Sequence, residues 1–171
     1  MNLRQTPSQT VGPFFASGLT AQQYGYPFSQ VVAGNLKAAG AKVVIEGQVF
    51  DGANQPIVDA LVELWQPGQG FLRQGTGATP ESGFRFETVK PLAGEGGAPH
   101  IVVVIMMRGL LSHVFTRVYF ADEEQANAKD PVLAQVPVER RATLIAMPSQ
   151  SGVYHFDVYM QGNRETVFFD I

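Results

Sequence analysis

Over most of the chain after residue 41, apolar residues recur at every second position in short stretches. This alternation is the periodicity of β-strands. The first stretch carries Val43, Ile45, Gly47 and Val49 at every second position, and the turn residues 51–54 follow it. The pattern predicts eight strands, at 42–50, 57–65, 84–89, 101–107, 114–120, 142–146, 154–159 and 166–169. Short strands joined by turns indicate an all-β fold, a β-sandwich with long loops.

The segments between these strands predict little helix. Acidic residues at 122–124 suit a helix N-terminus and predict a short helix over 122–128, and a second is expected near 137–141. The glycine-rich stretches 68–83 and 94–97 are expected to be loops. Residues 1–41 carry scattered turn residues and no sustained apolar period, which predicts an extended arm. We expect one domain over 1–171, made of this arm and a sandwich over 42–171.

Composition narrows the function classes. Hydrophobic residues make up 45% of the 171 residues, enough for a substantial core, whereas charged residues are only 16%, which hints at buried subunit contacts. The formal net charge of -3 and the lack of a basic run argue against a nucleic-acid partner. No apolar stretch approaches the length of a membrane span, and no secretory leader is recognisable, so we expect a cytoplasmic protein.

Few residues could carry chemistry. The chain has no cysteine, which excludes thiolate sites and disulfides, and its three histidines, His100, His113 and His155, are scattered. Each could be a hydrogen-bonded structural residue or, if all three converge, a metal ligand. No serine lies in a G-x-S-x-G elbow. The glycines at 68–70 and 75–77 are not followed by Lys-Ser/Thr, so turns are favoured over a phosphate-binding loop.

Arg108 is the most suggestive single position, because it ends the continuous apolar run 101–107 and precedes Gly109. A guanidinium at a strand end could bind a substrate carboxylate through two parallel hydrogen bonds. It could equally reach out to water or pair with an acidic side chain of the protein. The residues alone leave these alternatives open.

Several segments, in order along nearly the whole chain, are similar to subunits of protocatechuate 3,4-dioxygenase, a member of the intradiol ring-cleaving dioxygenases. The first is the arm Thr-Pro-Ser-Gln-Thr-Val-Gly-Pro-Phe-Phe at 6–15, and the others lie at 46–52, 62–66, 88–91, 98–101, 116–120 and 162–171. Within that family, residues 127–133 and 165–171 resemble the alpha rather than the beta subunit.

The resemblance implies an intradiol-type sandwich that pairs with a homologous beta subunit. In the family, beta holds Fe(III) with two Tyr and two His, and the complex uses O2 to cleave 3,4-dihydroxybenzoate to 3-carboxy-cis,cis-muconate. The beta His-Ile-His pattern aligns with His100, Ile101 and Val102, and the two tyrosine positions fall at 70–72 and 92–96, where this chain has no Tyr. The resemblance therefore implies that this chain holds no metal and is inactive by itself.

The resemblance also implies that this chain forms one wall of the substrate pocket beside the beta iron. On this sequence the corresponding positions are Thr10, Gly12, Pro13 and Phe14 of the arm, together with Arg108. Phe14 stands where many relatives have Tyr, so a shape contact remains without the phenol hydrogen bond. The alternatives are a non-catalytic β-sandwich module for binding or oligomerisation, and an independent metalloenzyme built on the three histidines.

Overall fold

A computed structural model describes residues 18–27, 34–36, 40–67, 69–94 and 96–170. The strands in this part are β1 (Gly34–Leu36), β2 (Lys42–Gly47), β3 (Val49–Phe50), β4 (Leu61–Gln66), β5 (Gly70–Gly75), β6 (Phe84–Val89), β7 (His100–Met106), β8 (Val114–Phe120), β9 (Ile145–Gln150), β10 (Val153–His155) and β11 (Val158–Tyr159). Nine of them form one sheet in the order β1-β5-β4-β7-β8-β9-β10-β2-β6, and β3 and β11 form a parallel pair.

Strand β9 divides the sheet into two halves. Its first residues, Ile145 and Ala146, pair with β8, whereas Met147 and the residues up to Gln150 pair with β10. The inward-facing side chains of the two halves pack into one core: Val43, Ile45, Val62, Leu64, Phe84, Phe86, Ile101, Val103, Ile105, Val118 and Phe120. Burying each such side chain contributes roughly 1.5–3 kcal/mol, so this core is the main source of stability. The predicted β-sandwich is confirmed.

Short helices cover one end of the β7–β8 half. They are η2 (Ala121–Glu123), α1 (Glu124–Asn127), α2 (Pro131–Gln135) and η3 (Val138–Leu144), where η denotes a 3₁₀-helix, whereas η1 (Ala21–Tyr24) lies against Gly75 of β5. Asp130 begins α2, because its carboxylate accepts hydrogen bonds from the amides of Val132 and Leu133, and Pro131 follows it. A second core forms beneath, from Ala98, Tyr119, Leu133, Val136 and Leu144. None of the described helices is long and apolar enough to span a membrane.

The loop prediction for 68–83 is wrong over Gly70–Gly75, which forms β5. This strand pairs in antiparallel register with β4 on one side and β1 on the other. Successive side chains of β5 do face opposite sides of the sheet, since Leu72 packs against the main core while Phe71 pairs with the outward-facing Trp65. The glycines at both of its ends hide the pattern, because glycine suggests a turn in the absence of tertiary information.

Five other strand predictions are corrected. The predicted strands 42–50 and 154–159 each divide in two, into β2 and β3 and into β10 and β11, because β3 and β11 leave the large sheet to pair with each other. The predicted strand 57–65 begins only at Leu61, because Asp59 has a positive φ of 63° and Thr76 Oγ1 donates to the Ile57 carbonyl. The predicted strand 142–146 is 3₁₀-helical up to Leu144. Residues 166–169 make no ladder beyond a bridge between Phe169 and Phe115. The helices expected at 122–128 and 137–141 are confirmed as η2 with α1 and as η3.

Candidate functional site

The outer face of strands β5, β4, β7 and β8 carries two of the positions at which the resemblance expects iron ligands. Phe71, Trp65, Val102 and Arg117 follow one another across these strands in register. They point outward because their neighbours Leu64, Val103 and Val118 are buried in the main core. The Trp65 and Phe71 rings stack with centroids 4.7 Å apart and an angle of 15° between their planes. One row of the sheet is thus mostly aromatic and apolar.

This row contains two of the positions where the resemblance expects iron ligands. Val102 aligns with the second histidine and Phe71 lies where one tyrosine is expected, and the structure places them on either side of Trp65. Neither side chain has a donor atom for a metal. In the segment where the other tyrosine is expected, Leu92 is 82% exposed. The residues of this chain therefore do not fit the ferric ion of the family.

The three histidines have separate partners. His100 Nδ1 lies 2.9 Å from the Ala98 carbonyl oxygen, and burial, reinforced by nearby Arg117, lowers the pKa of His100. His113 meets Phe115 edge to face, and His155 Nε2 lies 3.1 Å from Asp157 Oδ1. Within the described ranges, no group of three His, Cys, Asp or Glu residues could hold a metal ion. The structure gives no support to the three-histidine metalloenzyme.

A largely buried ion pair on the same face holds the aromatic row in place. Glu63 Oε1 accepts from Arg73 Nη2 at 2.6 Å and from Arg73 Nε at 2.7 Å, and Glu63 Oε2 accepts from Trp65 Nε1 at 2.8 Å. The Arg73 guanidinium also lies 5.3 Å from the Phe71 ring centroid, within cation–π range. Because one carboxylate holds both the indole and the guanidinium, the orientation of the stacked rings is fixed.

Next to this row lies a shallow groove of about 410 Å³, lined by Glu63, Trp65, Val102, Val104, Met106, His113 and Phe115. Sequence reasoning did not single out Trp65, Phe115 or Arg117 as site residues. The signal that could have found this face is the uninterrupted apolar run 101–107. A strand that is apolar at consecutive positions is usually covered on both faces.

Arg108 lies just beyond the end of β7 and is exposed. Its Nε donates to Asp59 Oδ1 at 3.3 Å and its Nη2 donates to Asp59 Oδ2, and this pairing raises the pKa of Arg108. The Asp59 amide donates to the Gly77 carbonyl, which also accepts from the Tyr24 hydroxyl. Arg108 thus pairs with an acid, one of the open alternatives, while its substrate role stays a prediction. Thr10, Gly12, Pro13 and Phe14 lie outside the described residues.

Comparison with solved structures identifies the class of fold. The dioxygenase domain of a carbohydrate-binding fusion protein from Streptomyces sp. SirexAA-E matches with a TM-score of 0.54 and 21% identity, over 96% of this chain and 100% of that one. An intradiol ring-cleavage dioxygenase from Tetranychus urticae matches with a TM-score of 0.51 and 18% identity, over 71% and 81% of the two chains. The chain has the intradiol dioxygenase fold.

Sequence relatives narrow this class to one family. The chain is 49% identical to the protocatechuate 3,4-dioxygenase alpha chain of Burkholderia cepacia, covering 99% of this chain and 98% of that one. Identity to the Pseudomonas putida alpha chain is 37%, over 98% and 97%. The B. cepacia beta chain is more distant, at 26% over 77% and 69%. No family model matches. The chain belongs to the protocatechuate 3,4-dioxygenase alpha-chain family, as the resemblance predicted.

Proposed function

We propose that this chain is the alpha subunit of a protocatechuate 3,4-dioxygenase and pairs with a homologous, iron-bearing beta subunit. The complex would use O2 to cleave 3,4-dihydroxybenzoate between its hydroxyl-bearing carbons, giving 3-carboxy-cis,cis-muconate. The observation that carries this proposal is the 49% identity to an alpha chain over 99% of this chain and 98% of the relative. Similarity along the full length favours a shared role over a shared fold alone.

The metal-donor atoms that this chain lacks indicate which subunit would hold the iron. Because Phe71 and Val102 supply none, Fe(III) and its ligands would belong to the beta subunit. When bound there, the ferric ion would activate the catecholate toward O2. This chain would contribute shape and charge to the pocket wall and would be inactive in isolation.

We place that wall at the arm and Arg108. The described structure begins at Gly18, shortly before Tyr24, whose hydroxyl meets Gly77 next to the Asp59–Arg108 pair. The first described segment, 18–27, thus lies near Arg108, and this supports our proposal that the arm residues Thr10, Gly12, Pro13 and Phe14 belong to the same wall. A guanidinium held in orientation by Asp59 suits the carboxylate of 3,4-dihydroxybenzoate.

The test is to measure iron content and 3,4-dihydroxybenzoate cleavage for the chain purified alone and co-expressed with the beta-type chain of its own organism. Iron and turnover found only in the co-purified complex would support the proposal. Stoichiometric iron and turnover in the isolated chain would overturn it. A stable chain that binds no beta-type partner would favour the non-catalytic module instead.

Two variants test the pocket wall within the complex. Deleting residues 1–14 should weaken both pairing and ring cleavage, because the arm would belong to interface and pocket together. Replacing Arg108 with Ala should lower turnover more than assembly, with Arg108→Lys keeping part of the activity since it preserves the charge. Equal activity and assembly for Arg108→Ala would remove Arg108 from the site, and loss of assembly alone would make it an interface residue.

A further inference from the structure

Asp59, in the turn just before β4, has a backbone conformation that is rare for a residue with a side chain. Its φ is 63°, in the left-handed region, and within the described ranges Asn54 is the other non-glycine residue with a positive φ. Aspartate tolerates this region better than most residues, but the conformation is still strained and persists where the surroundings hold it. The contacts that hold Asp59 therefore indicate what this turn positions.

The backbone on both sides of Asp59 is tied to Thr76, a buried residue that follows β5. The Thr76 amide donates to the Ala60 carbonyl at 2.9 Å, and Thr76 Oγ1 accepts from the Ala60 amide at 3.1 Å. The same Oγ1 donates to the Ile57 carbonyl at 2.7 Å. The Asp59 amide itself donates to the Gly77 carbonyl at 3.1 Å. Because the turn is held on both sides, the direction of the Asp59 side chain is fixed as well.

The Gly77 peptide is in turn held by Tyr24 of η1. The Tyr24 hydroxyl donates to the Gly77 carbonyl at 3.3 Å and accepts from the Gly77 amide at 3.2 Å. Gly77 has a φ of 92°, and a Cβ there would collide with Ser82, so this position requires glycine. The Gly77 carbonyl accepts from both Tyr24 and Asp59, so η1 and the Asp59 turn share one anchor.

The Asp59 carboxylate binds one edge of the Arg108 guanidinium. Its Oδ1 accepts from Nε and its Oδ2 accepts from Nη2. The Asp59 side chain is only 12% exposed, whereas the Arg108 side chain is 56% exposed. A guanidinium has five N–H donors in a planar fork, so the edge formed by Nη1 and Nη2 keeps donors that Asp59 does not use. That edge suits a second carboxylate, bound through two parallel hydrogen bonds.

We propose that Asp59 is a positioning residue, which orients the Arg108 guanidinium so that its outer edge meets the carboxylate of the aromatic diol. The inference rests on the proposed function, because that function gives Arg108 its ligand. A long side chain that is already held loses less rotational freedom when it binds. Asp59 also repels a second carboxylate, but the two anions lie at opposite edges of the cation, so the gain in orientation outweighs the repulsion. Through Gly77, the Tyr24 hydroxyl supports the same orientation.

The first experiment measures ring cleavage of 3,4-dihydroxybenzoate by the complex with the beta-type chain, with catechol, which lacks the carboxylate, as a competitive inhibitor. Asp59→Asn removes the charge and one acceptor but still tolerates a positive φ. It should raise KM about three- to tenfold, the factor for ordering one long side chain on binding, and leave kcat within about twofold. The inhibition constant of catechol should not change. A KM that stays the same or falls would overturn the inference, as would an equal loss of affinity for both molecules.

The second experiment shows whether Asp59 acts through Arg108. In an Arg108→Ala background, Asp59→Asn should raise KM no further, because a positioning residue has no effect once the group that it positions is gone. Additive effects on KM would overturn the inference. Glu46→Gln is the matched control, since it also replaces the acid of an exposed acid–arginine pair, the one with Arg85. It should leave KM and the inhibition constant of catechol unchanged.

Tyr24→Phe tests the contribution of η1. Loss of the hydroxyl removes both bonds to the Gly77 peptide but leaves the turn tied to Thr76. KM for 3,4-dihydroxybenzoate should therefore rise by a smaller factor than in Asp59→Asn, again without a change in the inhibition constant of catechol. An unchanged KM would overturn the part of the inference that concerns Tyr24.

The outcomes separate the two proposals. If the complex with the unmodified chain does not cleave 3,4-dihydroxybenzoate, the proposed function fails. If it does, and Arg108→Ala raises KM while Asp59→Asn matches the unmodified chain, the positioning role is wrong and the proposed function stands. If Asp59→Asn does not fold, Asp59→Gly gives the same test, because glycine adopts a positive φ without strain and also removes the carboxylate.

Discussion

The two outer faces of the sandwich each carry one cross-strand ion pair, in opposite environments. On the β4–β5 face, the Glu63 and Arg73 side chains are only 5% and 15% exposed and lie among Trp65 and Phe71. On the β2–β6 face, the Glu46 and Arg85 side chains are 31% and 52% exposed. The same pair of charges is therefore mostly desolvated on one face and mostly hydrated on the other.

This difference follows the patterns of the strands. Strand β6 alternates between buried Phe84 and Phe86 and exposed Arg85 and Glu87, the pattern of a sheet with one face in water. Strand β7 has no polar residue between Ile101 and Met106. The outer face next to β7, a strand that is apolar on both of its faces, therefore resembles a protein interior. Changing a charge there should cost more unfolding free energy than changing a charge on the β2–β6 face.

The largest effect is expected for Glu63→Gln. This change removes the carboxylate charge next to the Arg73 guanidinium, whose side chain is only 15% exposed, and weakens the bond from the Trp65 indole, so it should cost about 3–5 kcal/mol of unfolding free energy. Urea unfolding of the isolated chain measures it, with Glu87→Gln on the exposed face as the control. A loss below about 1 kcal/mol would mean that the Glu63–Arg73 pair behaves like a surface pair.

A smaller but pH-dependent effect is expected for Asp130→Asn, at the helix-covered end of the same face. Burial by itself would raise the pKa of Asp130, but the amides of Leu133, Ala98 and Val132 and the Tyr119 hydroxyl outweigh it and lower the pKa below its ordinary value. The ionised carboxylate thus stabilises the fold, and losing its charge-assisted bonds should cost about 2–3 kcal/mol at pH 7.

The sign of the pH dependence follows from the lowered pKa. A carboxyl with a depressed folded-state pKa contributes its full stabilisation above the unfolded value of about 4, and the contribution disappears as pH falls through the folded value. The difference between the native chain and Asp130→Asn should therefore narrow below about pH 4. Denaturation curves at several pH values test this, and a difference that stays constant into acid would contradict the role given to the carboxylate.

The sequence predicted correctly those elements whose side-chain pattern can be recognised within one short segment of the chain. Strands β6 and β8 lie where alternation placed them, because each has one face in the main core. The strand β5 was missed because the glycines at its two ends predict turns, whereas its extended conformation depends on pairing with β4. Helix α2 was missed although Asp130 followed by Pro131 is a recognisable helix start, because it is only five residues long and has no apolar period.

The candidate site was predicted only in part. Alignment with a family pattern located Val102 and the segment containing Phe71, and the structure shows that both lie beside Trp65. The arrangement of the outer face could not be predicted, because it depends on which way each strand faces and on the β7–β8 register that sets Arg117 opposite Val102. A single sequence does not specify these long-range pairings.

At the end of the face covered by η1, Gly75→Ala should cost about 1–3 kcal/mol, the usual cost of overpacking a filled site. A Cβ there would lie 2.5 Å from the Tyr24 hydroxyl oxygen, so the ring would have to give up its bonds to Gly77. Thermal unfolding measures the cost, and Gly94→Ala is the control because a Cβ there meets nothing within 4 Å.

A double variant shows whether Tyr24 causes this cost. If the clash with the Tyr24 ring is the reason, Gly75→Ala should cost less when Tyr24 is already Ala, so the two changes would not be additive. If the two costs were additive, the strain of Gly75→Ala would come from a contact other than the Tyr24 ring.

The smallest effect is expected for Glu46→Gln on the exposed face. A pair with this much exposure is worth about 0–1 kcal/mol, and salt screens it further. Urea unfolding should therefore show a loss below about 1 kcal/mol that shrinks in about 1 M NaCl, whereas the loss from Glu63→Gln should change little with salt. If Glu46→Gln were as costly as Glu63→Gln, exposure would not set the value of these pairs. The apolar surroundings of Trp65 would then give the charges of the β4–β5 face no interior-like environment.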